Sequence, residues 1–260
     1  MGALASSLHF SLEMYQAFLE GRDFPQGPFD PAAPWKSEYD AFALVMNGPG
    51  KGAPPTGRLS LERLDSAVAG EFGFRVECDT KLGGGVTHSL RAEIRCAEDD
   101  LAAPLDWTIE ASASGARGEM PEFRLAERGA LKNGQAEIAT PGKIRSLPLA
   151  ARATSDWTLF EALRRAPLDS PPPRAFDMLE NLRLPKREQR MHALGETEAD
   201  CANGRIRLHG LRQTGEGVLP IHYWRDDWGR ILLALGGCRA YALRTEKIQA
   251  AANGRKDGGR

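Results

Sequence analysis

The sequence predicts a mainly β protein: a curved antiparallel sheet, or incomplete β-barrel, of about eleven strands, with short helices inserted midway and one near the N-terminus. Three observations carry this. Residues 71–114 hold three consecutive runs in which apolar and polar side chains alternate. The 28 glycines and 17 prolines of this 260-residue chain supply turns between short strands. The period of two is interrupted once, around residues 155–182, by patterns of helical period.

The elements follow in order. Leu4, Leu8, Leu12, Tyr15 and Leu19 recur at helical spacing and predict a short amphipathic helix. Residues 21–35 (GRDFPQGPFDPAAPW) are proline-rich and aperiodic, so 1–35 reads as a helix and a lead-in to the body. Strands are expected near 37–46 and 57–65. In 71–80 Phe72, Phe74, Val76 and Cys78 alternate with polar residues; in 86–96 Val86, His88, Leu90, Ala92, Ile94 and Cys96 do so; in 105–114 Leu105, Trp107, Ile109, Ala111 and Ala113. One apolar and one charged face per strand describe an antiparallel sheet wetted on one side. Further strands are expected near 120–128 and 135–140, turning at Asn133-Gly134. SDWTLFEALRR (155–165) reads as a helix with Ser155 or Asp156 as N-cap and two arginines at its C-terminal end. Prolines 171–173 break the chain, and Phe176, Leu179 and Leu182 form a stripe that predicts a second short helix over 175–182. Strands resume at 191–199, 204–214, 217–225, 229–236 and 239–243, with turns at Asn203-Gly204, Gly215-Glu216 and 226–229. One domain over 36–243 is expected, followed by a disordered polar tail, 244–260.

The stretch Asp156–Leu243, with DWTLFEALRRAP, then FDMLENLRL, then LPIHYWRDDWGRILLALGGCRAYAL, resembles bacterial uncharacterised proteins with the lipoprotein-localisation type of fold. The resemblance covers about a third of the chain and rests on a strand–turn–strand pattern. It implies an open antiparallel β-barrel with short helices near its mouth. It also implies, from relatives of that fold, a cavity able to carry lipid or acyl chains.

Composition narrows the function classes. A formal net charge of −1, with no interleaving of aromatics and basic runs, argues against nucleic acid as a partner. No apolar run approaches the ~20 residues of a transmembrane helix. Met1–Leu19 lacks a basic n-region and is not read as a secretory signal, and Gly2 and Ser6 match only the loose myristoylation pattern. No phosphate-loop, dinucleotide, nucleophile-elbow or zincin motif occurs, and Gly83-Gly84-Gly85 sits in a hairpin without a following helix. No cofactor is expected.

Four cysteines, Cys78, Cys96, Cys201 and Cys238, lack metal-finger spacing. An odd-length loop near 82–84 places Cys78 opposite or diagonal to His88, and it separates Cys96 from Cys78 by ~26 Å at ~3.3 Å per residue. That distance forbids a disulfide. Four free thiols favour a reducing compartment, the cytoplasm, with the periplasm as the alternative if an export signal is removed. A thiol beside an imidazole is a known nucleophile arrangement, but with no third member a buried hydrophobe beside a core histidine is the commoner reading.

Two sets of residues are candidates for a site. Phe72, Phe74 and Trp107 on the apolar strand faces, with Tyr223, Trp224 and Trp228 around the 226–229 turn, are expected to line the cavity or mouth for a hydrophobic ligand such as a lipid or acyl chain. Aromatics at a barrel rim more often cap the core. Two-residue turns at 203–204 and 215–216 would align Glu198, His209 and His222 across three strands, a ligand set suited to zinc or iron. Such a row spaces its members by ~4.8 Å without converging them, so an ordinary Glu–His–His ladder is the commoner outcome. The expected function is therefore a non-enzymatic binding or carrier protein. A metal-dependent enzyme at those three residues, or a scaffold pairing through a sheet edge, is the alternative.

Overall fold

In the computed structural model, which describes residues 16, 18–44, 54–81, 85–115, 123–168, 175–236 and 238–248, the alternating runs become adjacent strands with one buried and one open face. The first half contributes β1 (Trp35–Ala43), β2 (Gly57–Leu64), β3 (Glu71–Lys81), β4 (Thr87–Ala97), β5 (Pro104–Ser114), β6 (Phe123–Lys132), β7 (Gln135–Thr140) and β8 (Lys143–Pro148). After β9 (Ala153–Ser155) and the helix α1 (Thr158–Arg165) come β10 (Phe176–Glu180), β11 (Leu184–Cys201), β12 (Gly204–Thr214), β13 (Ile221–Arg225), β14 (Ile231–Gly236) and β15 (Arg239–Ile248).

These make one 15-stranded sheet ordered 8-7-6-5-4-3-2-1-15-14-13-12-11-10-9. Each half is a meander of antiparallel neighbours, joined by the antiparallel β1–β15 pair; only β9 and β10 run parallel. Connectivity dictates the curvature. β8 and β9 lie at opposite edges, yet only residues 149–152 link them. That link spans at most ~17 Å, whereas fifteen flat strands would measure ~65 Å across at ~4.8 Å spacing. The sheet must curl until its edges nearly meet. Contacts at the seam record this: Arg187 donates to Pro148 O (3.0 Å), and Arg183 pairs with the buried Glu127 (2.6 Å). No ladder joins β8 to β9 among the described residues, so the barrel stays open.

The helix fills part of the interior. Every residue from Thr158 to Arg164 is buried, so its polar groups need partners from the sheet. Ser155 Oγ accepts the Thr158 N–H (3.0 Å) while Thr158 Oγ1 accepts the Ser155 N–H (3.1 Å), a reciprocal N-terminal cap. Glu161 accepts from Arg63 (2.6 Å) and Trp35 Nε1 (2.9 Å) and forms an ion pair with Arg165 (3.1 Å), and Arg63 also reaches Glu98 (2.9 Å). Arg164 lies 3.9 Å over the Trp35 ring and donates to Ser37 Oγ (2.8 Å). At the C-terminal end Arg225 donates to the carbonyls of Leu163 and Ala166.

Several expectations need correction. The described residues form fifteen strands rather than about eleven; β8, β9 and β10 are among the short or irregular ones that the sequence pattern does not declare. Residues 175–182 form β10 and its turn, not a helix. Phe176, Asp177, Met178 and Leu179 are all buried between β9 and β11, and a short fully buried run has no periodicity to separate strand from helix. Asp177 fixes the strand by accepting the backbone N–H groups of Ala150 (2.7 Å) and Glu188 (3.1 Å). Residues 244–248 are not tail: β15 pairs along β1 as far as Trp35↔Ile248. Most of the predicted N-terminal helix and residues 249–260 lie outside the described residues. The segment from Phe18 onward packs on the body, with Phe18, Leu19, Phe24 and Phe29 buried and Phe18 edge-on to Phe42 at 5.3 Å. No described helix is long and apolar enough to cross a membrane.

Candidate functional site

The interior left by α1 contains a cavity of about 450 Å³. Its floor is the N-terminal end of the helix, where Asp156, Trp157 and Phe160 face it. One wall is β10 with Met178, Glu180 and Asn181, and the opposite wall is the inner face of β13–β15. The register sets that wall: Ile221, Tyr223, Ala234, Gly236, Arg239 and Tyr241 are cross-strand partners in the pairs 221–236, 223–234, 234–241 and 236–239. Small residues keep the space open. A Cβ on Gly236 would lie 2.4 Å from Ile221 Cγ1, and Ala234 sits between two tyrosines. The mouth lies beside Leu219, Cys238 and Arg239, which are exposed.

Tyr223 is held as a wall. Its hydroxyl donates to Gln213 Oε1 (3.1 Å), Gln213 donates to Gln189 (2.9 Å), and its ring meets Phe160 edge-on at 5.7 Å. Asp156 is the polar feature of the floor. Its Oδ1 accepts the N–H groups of Trp157 (3.2 Å) and Asn181 (3.0 Å). Asn181 can offer its N–H because it and Leu182 both adopt left-handed φ values, 50° and 57°, in the β10–β11 turn. Burial pushes the Asp156 carboxyl up to about 7, reinforced by Glu180 and opposed by the backbone N–H groups of Asn181, Trp157 and Asp156 itself. At the mouth Arg239 hydrogen-bonds Tyr241, whose hydroxyl burial pushes up to about 12.

Of the aromatics singled out from the sequence, Tyr223 lines this cavity. Phe72, Phe74 and Trp107 are buried elsewhere in the core: Phe72 beneath the Arg63 guanidinium (4.1 Å), Phe74 against Trp35 (5.8 Å), and Trp107 over Gly129, where any Cβ would strike its ring. Trp224 lies on the outer face over Gly210, and Trp228 is exposed in the β13–β14 turn. Asp156, Trp157, Phe160, Arg239 and Tyr241 were not anticipated. Asp156 has the sequence signature of a helix cap, and Tyr241 could have been found from the alternation in its strand.

The structure does not bring Glu198, His209 and His222 together. The 202–203 turn pairs Glu198 with Arg207 and His209 with Glu196, and a seven-residue connection, 214–220, pairs His209 with Arg225 and His222 with Arg212. His209 and His222 thus face opposite sides of the sheet. His209 instead meets Asp227 (2.8 Å), Glu198 meets Arg205 (3.3 Å), and no three His, Cys, Asp or Glu form a ligand set among the described residues. His88 pairs with Thr80, diagonal to Cys78, whose sulfur lies 3.9 Å from Thr80 Oγ1. Cys78 and Cys96 pair with Leu90 and Phe72, which separates them by six positions, ~20 Å, and all four cysteines are free. A broader hollow of about 650 Å³ over β4–β6 is lined by Ser89, Arg91, Glu110 and Arg124, the wet face of the sheet.

Fold and cavity together define an open, barrel-like antiparallel β protein with a part-open cavity lined by both apolar and polar residues. No protein-family model and no curated protein matches the chain. Among solved structures it is similar to a crystal structure from Brucella abortus described as a β-barrel-like protein of domain of unknown function DUF1849. The two share 11% identity with a TM-score of 0.54, over 83% of this chain and 98% of that one. This likeness concerns the fold alone. It is to a barrel-like protein of unknown function, not to the lipoprotein-localisation fold.

Proposed function

We propose that this protein binds or carries a hydrophobic small molecule, without a catalytic step, in the cavity between α1, β10 and β13–β15. The observation that carries the reading is the cavity itself: about 450 Å³, walled by Trp157, Phe160, Met178, Ile221 and Tyr223, and opening at an exposed rim. That size and an apolar lining with few polar groups are what small-molecule sites share. Pairing through the sheet edge has less support. β8 exposes Ile144 at that edge, but Lys143 and Pro148 flank it, residues that discourage strand addition.

Native mass spectrometry of freshly purified protein tests the reading. A bound mass of a few hundred daltons, or uptake of an apolar fluorescent probe, is expected, and Ala234→Phe should abolish either by filling the cavity. A protein that takes up no apolar probe, or whose uptake survives Ala234→Phe, does not use this site.

A further inference from the structure

The cavity floor is polar in an asymmetric way. Asp156 Oδ1 is saturated by two backbone N–H groups, but no described residue donates to Oδ2, and the side chain faces the cavity. Charged and titratable groups facing Asp156 come from each surrounding strand: Glu180 from β10, Tyr223 from β13, Arg239 and Tyr241 from β15, and Cys78 from β3. The lining cation among them, Arg239, is at the exposed mouth and bonded to Tyr241; Asp156 attracts it, but not at ion-pair contact distance. Glu180 is engaged by Lys186 at 3.2 Å. The floor therefore holds a carboxylate with an open acceptor and a second carboxylate nearby, but no cation.

We infer that the ligand is an amphiphile with a protonated amine head, which donates to Asp156 Oδ2 at the cavity floor while its apolar chain lies along Phe160, Ile221 and Tyr223 towards the mouth. This rests on the carrier reading and adds the head-group class. An ammonium supplies the missing positive charge and donor, and charge-assisted hydrogen bonds in such a desolvated place are the strong ones. A carboxylate head at the same spot would face two acids. The upward displacement of the Asp156 carboxyl, caused by burial and reinforced by Glu180, is what an ammonium in contact with it would reverse. Binding of an ammonium requires the ionised carboxylate, so affinity falls as pH drops below 7.

The test compares dodecylamine, dodecanol and dodecanoate by displacement of an apolar fluorescent probe from the full chain and from Asp156→Asn. The asparagine keeps the Oδ1 acceptor, so the fold and the two N–H contacts are retained. Dodecylamine should bind tightest to the wild type, weakening on the order of tenfold between pH 7.5 and 5.5. In Asp156→Asn both its preference over dodecanol and its pH dependence should disappear. Equal binding of the three, tighter dodecanoate, or an unchanged preference in Asp156→Asn overturns the head-group assignment and leaves the carrier reading standing. If the wild type takes up no probe, the carrier reading itself fails; if the probe binds and none of the three displaces it, the head-group assignment is overturned.

Discussion

Asp156→Asn has a consequence for stability that is separate from any ligand. In the folded chain the carboxyl titrates at about 7; in the unfolded chain it returns to the ordinary ~3.9. Above pH 7 folding therefore carries the cost of burying an anion. About three pH units at ~1.4 kcal/mol each set that cost at no more than ~4 kcal/mol, and water at the cavity side of the carboxylate lowers it. Asparagine accepts the same N–H bonds from Trp157 and Asn181 but carries no charge. The variant should then be more stable than the wild type at pH 8, by about 2 kcal/mol or more. The sign follows from linkage: between pH ~4 and ~7 the folded wild type binds a proton that the unfolded chain has released, so its stability relative to the variant declines as pH rises through that window and levels off above it. Urea denaturation followed by tryptophan fluorescence at pH 5, 6, 7 and 8 measures the difference directly, since titrations common to both proteins cancel. A variant less stable than the wild type at pH 8, or an advantage that does not change with pH, refutes the argument.

Two other perturbations probe the packed part of the interior. Glu161→Ala leaves the Arg63 and Arg165 guanidiniums without their buried partner, a loss of ~3–5 kcal/mol when nothing compensates. Glu98 still contacts both arginines at 2.9 and 3.2 Å, so the expected loss is near ~3 kcal/mol; a loss below ~1 kcal/mol by chemical denaturation would mean the network contributes little. Thiol labelling of native protein, read by mass spectrometry, should modify Cys238 and Cys201 first. Cys78 and Cys96, 4% and 0% exposed and pushed up by burial, should react only on unfolding, and rapid labelling of all four would contradict the packing of β3 and β4.

How much of this was legible depends on how many partners a residue's role requires. Strands β3, β4 and β5 could be read residue by residue because each buries one face and wets the other, so the alternation is local information. β10 could not, because both of its faces are covered and its identity is settled by β9, β11 and the Asp177 side chain. The Glu198–His209–His222 row failed for a related reason. It required two turn lengths, and the seven-residue connection before β13 reversed the face of His222. Trp107 and Phe72 were visible as large inner-face residues, but whether they bound a cavity depended on where α1 would lie, and that is set by Glu161, Arg63 and Trp35 meeting across 98 and 126 residues of sequence. Tyr223 was visible from the aromatic cluster at the β13–β14 turn. Ser155 or Asp156 was expected as the N-cap; the capping hydrogen bonds belong to Ser155, and nothing local marked Asp156 as a residue that faces a cavity.

The position of the cavity follows from a mismatch of lengths. β3, β4 and β5 have eleven residues each, ~37 Å of strand, whereas α1 has eight, ~12 Å of helix. One short helix cannot fill such a barrel. Where Glu161, Arg164 and Arg165 engage β1, β2 and the β4–β5 turn, the space is taken by Trp35, Phe72, Phe74 and the guanidiniums stacked on them. Towards the N-terminal end of α1 the facing wall instead carries Ala234 and Gly236, and nothing as large as tryptophan comes from β14. Adding a bulky residue there would be the cheapest way to close the core, so small residues opposite Tyr223 and Ile221 are the sequence feature that keeps the site hollow. Asp156, just ahead of the helix, lines the same space with Trp157 and Phe160; on the carrier reading proposed above, a molecule entering at the Cys238–Arg239 rim would meet the rings of Phe160 and Tyr223 along its length and a carboxylate at its end.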